Sequence, residues 1–311
     1  MAYPFENLVF EGGGIKGIAF CGAIAILERK GIMQRITRYA GSSAGAITAG
    51  LLACNHTSAE ILDILGQKNF NDFKDEDFGA IRDVRRLVRD YGFYAGKEFH
   101  RWYGDLLKTK TGNGDITFQQ MKEQYNKEVI ITGTCLNRRE TDFYTVQRNA
   151  DMPVRDAVRI SMSLPLFFAA VEWKGDILVD GGVLFNYPVW IFDGAYPGDP
   201  AGRVAPGNKK TLGLKLQTEE EVQETISGEH RSQKISDLKD FALALADCLG
   251  TQVERLHVKP KDWERTIAIN TRHIKTTQFD LPENEKRMLY NEGWAGAEKF
   301  FAWYDKEKLK T

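Results

Sequence analysis

The chain has little of what would specialise it early. Its 311 residues include only 4 cysteines and 5 histidines. Cys21, Cys54, Cys135 and Cys248 stand far apart, with no two at metal-ligand spacing. They read as free thiols in a reducing compartment, which argues against a disulfide scaffold and a cysteine-built metal site. No apolar run approaches the roughly 18 residues needed to cross a bilayer. Any membrane contact is therefore expected from the side. Met1 to Asn7 offers neither a basic stretch nor an apolar one, so the expectation is a cytoplasmic chain without a signal peptide. Charge of one sign is also missing: 42 Lys and Arg against 43 Asp and Glu leave a net charge of -1. That excludes a generally basic nucleic-acid surface. There is no internal repeat and no low-complexity tract.

What remains is ordinary globular material, 42% hydrophobic and 27% charged, enough for a large core. The first fifty residues alternate: strand at Phe5–Phe10, glycine cluster, helix at Gly17–Lys30, strand at Arg38–Gly41, sharp turn, small-residue helix at Ser43–Cys54. This order predicts an α/β fold with a mostly parallel sheet and crossover helices. Residues 58–126 read as mainly helical. Strands follow at Glu128–Leu136 and Asp142–Gln147, then a helix after Pro153. A strand pair, Ala170–Trp173 and Ile177–Val179, turns at Lys174-Gly175-Asp176. Leu212–Leu216 and Thr266–Asn270 are further strands. Ser236–Val258 and Glu283–Lys308 are amphipathic helices. The Gly- and Pro-rich stretch Asp193–Lys210 reads as surface loop. No composition shift marks a boundary, so one domain over 1–311 is expected, with a variable, lid-like region at 193–260.

Three short patterns carry chemistry. Gly41-Ser42-Ser43-Ala44-Gly45 fits Gly-x-Ser-x-Gly between a strand and a helix. A serine on so tight a turn needs small neighbours, and its hydroxyl stands at a helix N-terminus that favours negative charge. A plain turn with a serine cap fits the same pentapeptide. Gly12-Gly13-Gly14-Ile15-Lys16-Gly17 follows the first strand and opens a helix, so its amides can converge on an anion. The same stretch satisfies the dinucleotide pattern Gly-x-Gly-x-x-Gly and keeps a nucleotide-binding oxidoreductase in view. That pattern wants an acid about 20 residues on, and none lies between Glu28 and Glu60. Asp180-Gly181-Gly182 ends an apolar strand. It is a turn signal in itself, but a carboxylate within about 3 Å of a serine hydroxyl can take its proton directly. None of the five histidines sits in a comparable motif, although His257 and His273 leave the order serine, aspartate, histidine open.

Taken together, these three motifs resemble the patatin-like phospholipases in order and spacing. Ser161 to Phe168 is similar to the family's Ser-x-x-x-Pro-x-x-Phe segment through Ser161, Pro165 and Phe168. Asn186-Tyr187-Pro188 and the ending from Thr277 to Pro282, followed by a helix with Gly293, also resemble it. The likeness covers most of residues 5–190 and, more loosely, 266–303. It implies a three-layer sandwich, its mostly parallel central sheet flanked by helices. It further implies a Ser43–Asp180 dyad without histidine, and an oxyanion hole from the amides of Gly13, Gly14 and Ile15, with Lys16 at the loop's basic position. Gly41, Gly45, Gly181 and Gly182 belong to the two turns, and Ser161 and Pro165 shape the site. No metal and no cofactor are implied, and the substrate would be a phospholipid or another acyl lipid. A non-catalytic acyl-binding module on the same fold is the rival class. Peripheral membrane contact would rest on the helix at 240–249 and on Phe167, Phe168, Phe185 and Trp190.

Overall fold

The protein is described from a computed structural model, in which residues 3–73, 89–195, 207–222, 235–236, 241, 244–245, 248, 258–276 and 278–308 are placed. Val9, on strand β1 (Asn7–Phe10), faces one core, while Leu8 and Phe10 face another. A strand buried on both faces is what a parallel sheet between two layers requires. The remaining strands are β2 (Arg38–Gly41), β3 (Gly92–Tyr94), β4 (Glu128–Cys135), β5 (Glu140–Tyr144), β6 (Leu166–Phe168), β7 (Val171–Trp173), β8 (Asp176–Asp180), β9 (Thr211–Gln217) and β10 (Thr266–Asn270). The main sheet has the order β10-β9-β1-β2-β4-β8-β7, with β5 also paired to β4. The pairs from β10 to β4 are parallel, and β5, β8 and β7 enter antiparallel.

The helices are α1 (Ile18–Arg29), α2 (Ala44–Ala53), α3 (Ser58–Gln67), α4 (Lys97–Thr111), α5 (Phe118–Tyr125), α6 (Val154–Ser161) and α7 (Glu283–Lys308). Every residue of α2 is buried, which explains why its sequence is apolar or small on all sides. On the far face of the sheet Val9, Ala40, Ile130 and Phe143 meet Tyr187, Val189, Ile191 and Phe192. Helix α1 crosses α7 at two glycines: Gly22 faces the Tyr290 carbonyl and Gly293 the Ala19 carbonyl, with no room for a Cβ at either.

The expected α/β architecture with a mostly parallel sheet stands. Three local readings change. The helical reading of 58–126 missed β3, which pairs in parallel with β6 in a separate two-stranded sheet. So short a strand exists only through its partner, and Arg159 ties the region together by donating to the Ala95 and Ala169 carbonyls at 2.8 and 3.0 Å. Strand β5 starts at Glu140 and ends at Tyr144, earlier than expected, because Arg138 binds Glu140, Asp142 and Asp176 and draws both hairpins together. The strand expected at Leu212–Leu216 forms as β9 within 193–260, and it is an inner strand between β1 and β10. Residues 211–217 are therefore sheet core, and most of the helix expected at Ser236–Val258 lies outside the described residues. The β7–β8 turn is tighter than read: Trp173 pairs with Asp176, and Lys174 and Gly175 take φ of 53° and 87°. Positive φ at both central residues is what the strand twist favours in a two-residue hairpin.

Gly22→Ala is expected to lower the unfolding free energy by about 1–3 kcal/mol through overpacking at the α1–α7 crossing. Gly66→Ala, where a Cβ meets nothing within 4 Å, is expected to leave stability equal or higher. Denaturant unfolding of both proteins checks the contrast.

Candidate active site

Strand β4 changes neighbours along its length. Its first half, Glu128 to Ile131, pairs with β2, so that Ile131 stands opposite Gly41. On its other edge Ile131 to Cys135 pair with β5. The edge that β2 leaves is taken by β8, whose last residue, Asp180, stands opposite Gly133. The C-terminal ends of β2 and β8 therefore meet head to head, two residues or roughly 7 Å apart along β4. Ser42 and Ser43 continue from one end, and Asp180 closes the other.

The serine turn is steric in origin. A Cβ on Gly41 would collide with the Gly45 backbone, and one on Gly45 with the Phe10 carbonyl. Ser43 itself adopts φ 52° and ψ -123° at the start of α2. That conformation costs a non-glycine residue on the order of 1–3 kcal/mol and persists only where its surroundings enforce it. The enforcement is visible. The Ser43 amide donates to Ser161 Oγ at 2.9 Å. Ser42 Oγ lies 2.5 Å from Thr132 Oγ1 and 2.6 Å from the Phe185 carbonyl. The Ser43 hydroxyl is turned toward Met162 Sδ at 3.7 Å, a weak acceptor.

Asp180 is 1% exposed. Its amide donates to the Ser163 carbonyl at 2.9 Å, and its carbonyl accepts from Thr134 Oγ1 at 3.0 Å. Oδ1 accepts from the Gly182 amide at 2.7 Å, while Oδ2 is buried without a hydrogen bond among the described residues. Burial pushes the carboxyl up from its ordinary 3.8 to about 7, opposed in part by the Gly182 amide and the nearby Ser43 hydroxyl. No cation among the described residues offsets that burial. Gly181 fits against Thr132 with no space for a side chain.

The glycine loop follows β1 directly. The Gly12 amide donates to the Asn186 carbonyl at 3.1 Å, and that of Lys16 to the Gly13 carbonyl at 3.2 Å. Ile15, expected among the oxyanion donors, instead donates to the Thr276 carbonyl at 3.3 Å. The amides of Gly13 and Gly14 have no acceptor among the described residues. Gly14 takes φ 55° with the Thr276 carbonyl against it, so only glycine fits. The glycine loop and the serine turn touch, because a Cβ built on Gly12 would sit 3.0 Å from Ser43 Cβ. A Cβ on Gly17 would lie 3.2 Å from that of Ala44, the residue after Ser43. Lys16 is 8% exposed and has no ion pair among the described residues. Sequence reasoning passed over the amide of Ala44, whose place at the first position of α2 leaves it without a helical acceptor. It also passed over Thr132 and Met162 and gave Asn186 no role beyond the resemblance, because their contacts depend on chain crossings that no local pattern records.

Pro165 sits at the turn into β6, before Leu166 at φ 63°. His56, His100 and His273 place ring nitrogens on the Leu106 carbonyl, Asp156 and Glu285. His230 and His257 lie outside the described residues. Phe167 and Phe168 are buried in the main core, where they serve packing. Among the described residues no helix is long and apolar enough to cross a membrane.

An α/β scaffold with a strained serine on a strand-to-helix turn, a buried carboxylate beside it and free loop amides defines a class, the serine acyl hydrolases. The chain belongs to the patatin-like phospholipase family, whose model matches residues 8–193, and with it to the hydrolases of lipid esters. The YqhO protein of Bacillus subtilis (strain 168) is 29% identical over 301 residues, 94% of this chain and 96% of that one. A probable lipid hydrolase, 463L, of Invertebrate iridescent virus 6 is 24% identical over 189 residues, 60% of this chain and 63% of the relative. The solved structure of VipD from Legionella pneumophila superposes with a TM-score of 0.62 over 97% of this chain and 68% of that one. Its sequence identity is 16%, so that likeness is one of fold. Family membership sets the nucleotide-binding reading of the glycine loop aside.

Ser161→Ala removes the acceptor of the Ser43 amide and leaves a buried donor unpaired, a loss of about 1–3 kcal/mol. We expect ester turnover to fall about tenfold or more, since 1.36 kcal/mol is one decade in rate. Initial rates on a chromogenic p-nitrophenyl ester measure it, and an unchanged rate would show that the Ser161 bond to the Ser43 amide does not matter for turnover.

Proposed function

We propose that this protein cleaves fatty-acyl esters of phospholipids, a phospholipase A type reaction, with Ser43 as nucleophile and Asp180 as its base. The reading rests above all on the Asp180 carboxyl. Burial, with no countercharge among the described residues, raises it to about 7, where a general base works best near neutral pH. Structural aspartates gain nothing from such a position, because a buried unpaired charge costs stability.

The reaction runs in two halves. Ser43 Oγ bonds to the acyl carbonyl carbon as Asp180 takes the hydroxyl proton. The carbonyl electron pair moves to oxygen, and the oxyanion is held by the amides of Gly13 and Gly14, with that of Ala44 at the helix start. Collapse restores the carbonyl, breaks the ester C–O bond and returns the proton from Asp180 to the departing lysophospholipid. Water then repeats the sequence against the acyl-serine. Asp180 takes a water proton, the fatty acid leaves, and Ser43 Oγ recovers a proton. Every proton is accounted for by one carboxyl, so neither histidine, metal nor cofactor enters a step. A preset pair of amides serves this chemistry because the charge develops on oxygen only in the transition state.

Two outcomes are expected. First, a fluorophosphonate probe forms an adduct at Ser43, located by peptide mass spectrometry. The adduct is absent from Ser43→Ala and slow to form in Asp180→Asn. A wild-type protein that stays unlabelled even with phospholipid vesicles present would remove the proposal. Second, activity and stability depend on pH in opposite senses. Because the carboxylate is the base, kcat/KM should rise as pH passes through about 7. The folded state holds its proton to a higher pH than the unfolded chain. The stability from this group is therefore full below about pH 4 and lost as pH rises through about 7. Asp180→Asn, neutral throughout, should be inactive yet more stable than wild type at pH 8, by up to a few kcal/mol, and no more stable at pH 4. Thermal melts at the two pH values check the crossover.

A further inference from the structure

Asn186 lies past the acid turn and takes no part in the proton transfers, yet it touches both halves of the site. Its carbonyl accepts from the Gly12 amide at 3.1 Å, and its Nδ2 donates to the Gly12 carbonyl at 3.1 Å. Gly12 is thus gripped on both sides by one residue. The same Nδ2 lies 3.5 Å from Glu11 Oε1. Glu11 is itself anchored: Lys215 Nζ donates to Oε1 at 2.7 Å and the Leu216 amide to Oε2 at 2.5 Å. Both ends of that ion pair are buried, Glu11 at 4% and Lys215 at 7% exposure. Lys215 Nζ also stands 5.4 Å from the ring of Tyr187, the residue after Asn186. On its other side Asn186 Oδ1 packs on Gly182, 2.7 Å from where a Cβ would be. The amide of that glycine holds the Asp180 carboxylate.

The physical need is clear. Three consecutive glycines have no side chains to restrict them, and unrestrained they would sample many backbone conformations. Oxyanion donors act only if they are aimed before the charge appears. The loop is pinned at Ile15 by the Thr276 carbonyl, and at Gly12 by Asn186. Gly13 and Gly14, whose amides have no acceptor among the described residues, lie between the two pins. We infer that Asn186 is a positioning residue, which aims the Gly13 and Gly14 amides at the oxygen developing beside Ser43 and holds that loop in register with the Asp180 turn. The inference rests on the Ser43–Asp180 reading.

The test compares wild type, Asn186→Ala and Asn186→Ser on phosphatidylcholine in mixed micelles and on a p-nitrophenyl ester, with folding followed by thermal melts. Displacing preset donors costs about 10²-fold, and the loss should fall on kcat and kcat/KM equally with KM little changed, as for an interaction made only in the transition state. Both variants keep the residue-186 carbonyl that accepts from Gly12 and remove the Nδ2 donor; Asn186→Ser, which retains a polar hydroxyl, serves if the alanine protein does not fold. The split between kcat and KM is the readout that mere structural support would not move. The inference is overturned by variants that turn over like wild type, by a rise in KM with kcat intact, or by losses that only track the unfolded fraction. Ser43→Ala, run alongside, separates the two readings. Hydrolysis that survives it removes the dyad and the inference together. Hydrolysis that needs Ser43 but is indifferent to Asn186 removes the inference alone.

Discussion

The change of neighbour along β4 is the constraint on which the rest of the site depends. A parallel strand, β2, leaves one edge at Ile131, and an antiparallel strand, β8, occupies the same edge from Gly133. Two strands running toward each other along one edge must stop head to head. The residues at and just beyond their ends are brought together. Ser43 and Asp180 are 137 positions apart in the chain, and no local preference brings them near. A single shared partner strand does.

That meeting creates a carboxylate in a place where a carboxylate is costly. No cation among the described residues offsets the burial of Asp180, so the folded protein gives up stability at neutral pH to keep a carboxylate there. The neighbourhood limits the loss with polar contacts rather than charges: the Gly182 amide on Oδ1, and Ser163 and Thr134 on the Asp180 backbone. Strain at Ser43 is held in the same fashion, by Ser161 and by the Ser42–Thr132 contact. Charge pairing is used one shell further out, at Glu11 and Lys215. There a satisfied ion pair fixes the base of the glycine loop without biasing the acid. The elements beyond residues 8–193, where the family model ends, take part in this support. β9 carries Lys215, and Thr276 closes over Gly14.

The sequence by itself determined the local geometry. Gly41 and Gly45 announce a close crossing because only a missing Cβ permits one, and both prove to face backbone atoms. The strand, loop and helix alternation of the first fifty residues is legible for the same reason, since apolar periodicity and glycine placement are properties of neighbouring residues. The nucleophile turn, the acid turn and the glycine loop could be read because each is a short pattern whose meaning is steric. Tertiary structure alone decided what depends on long-range pairing. β3 exists only against β6, and the start of β5 depends on Arg138 reaching Asp176 of another hairpin. The Ile15 amide looks available in the loop pattern and is spent on Thr276, more than two hundred residues away. Asn186 is marked only by resemblance, for its contact with Gly12 becomes visible only when the chain lies across from it. Local sequence sets which conformations a segment can adopt. Only the packed sheet sets which segments share an edge, and the chemistry of this site is made at that shared edge.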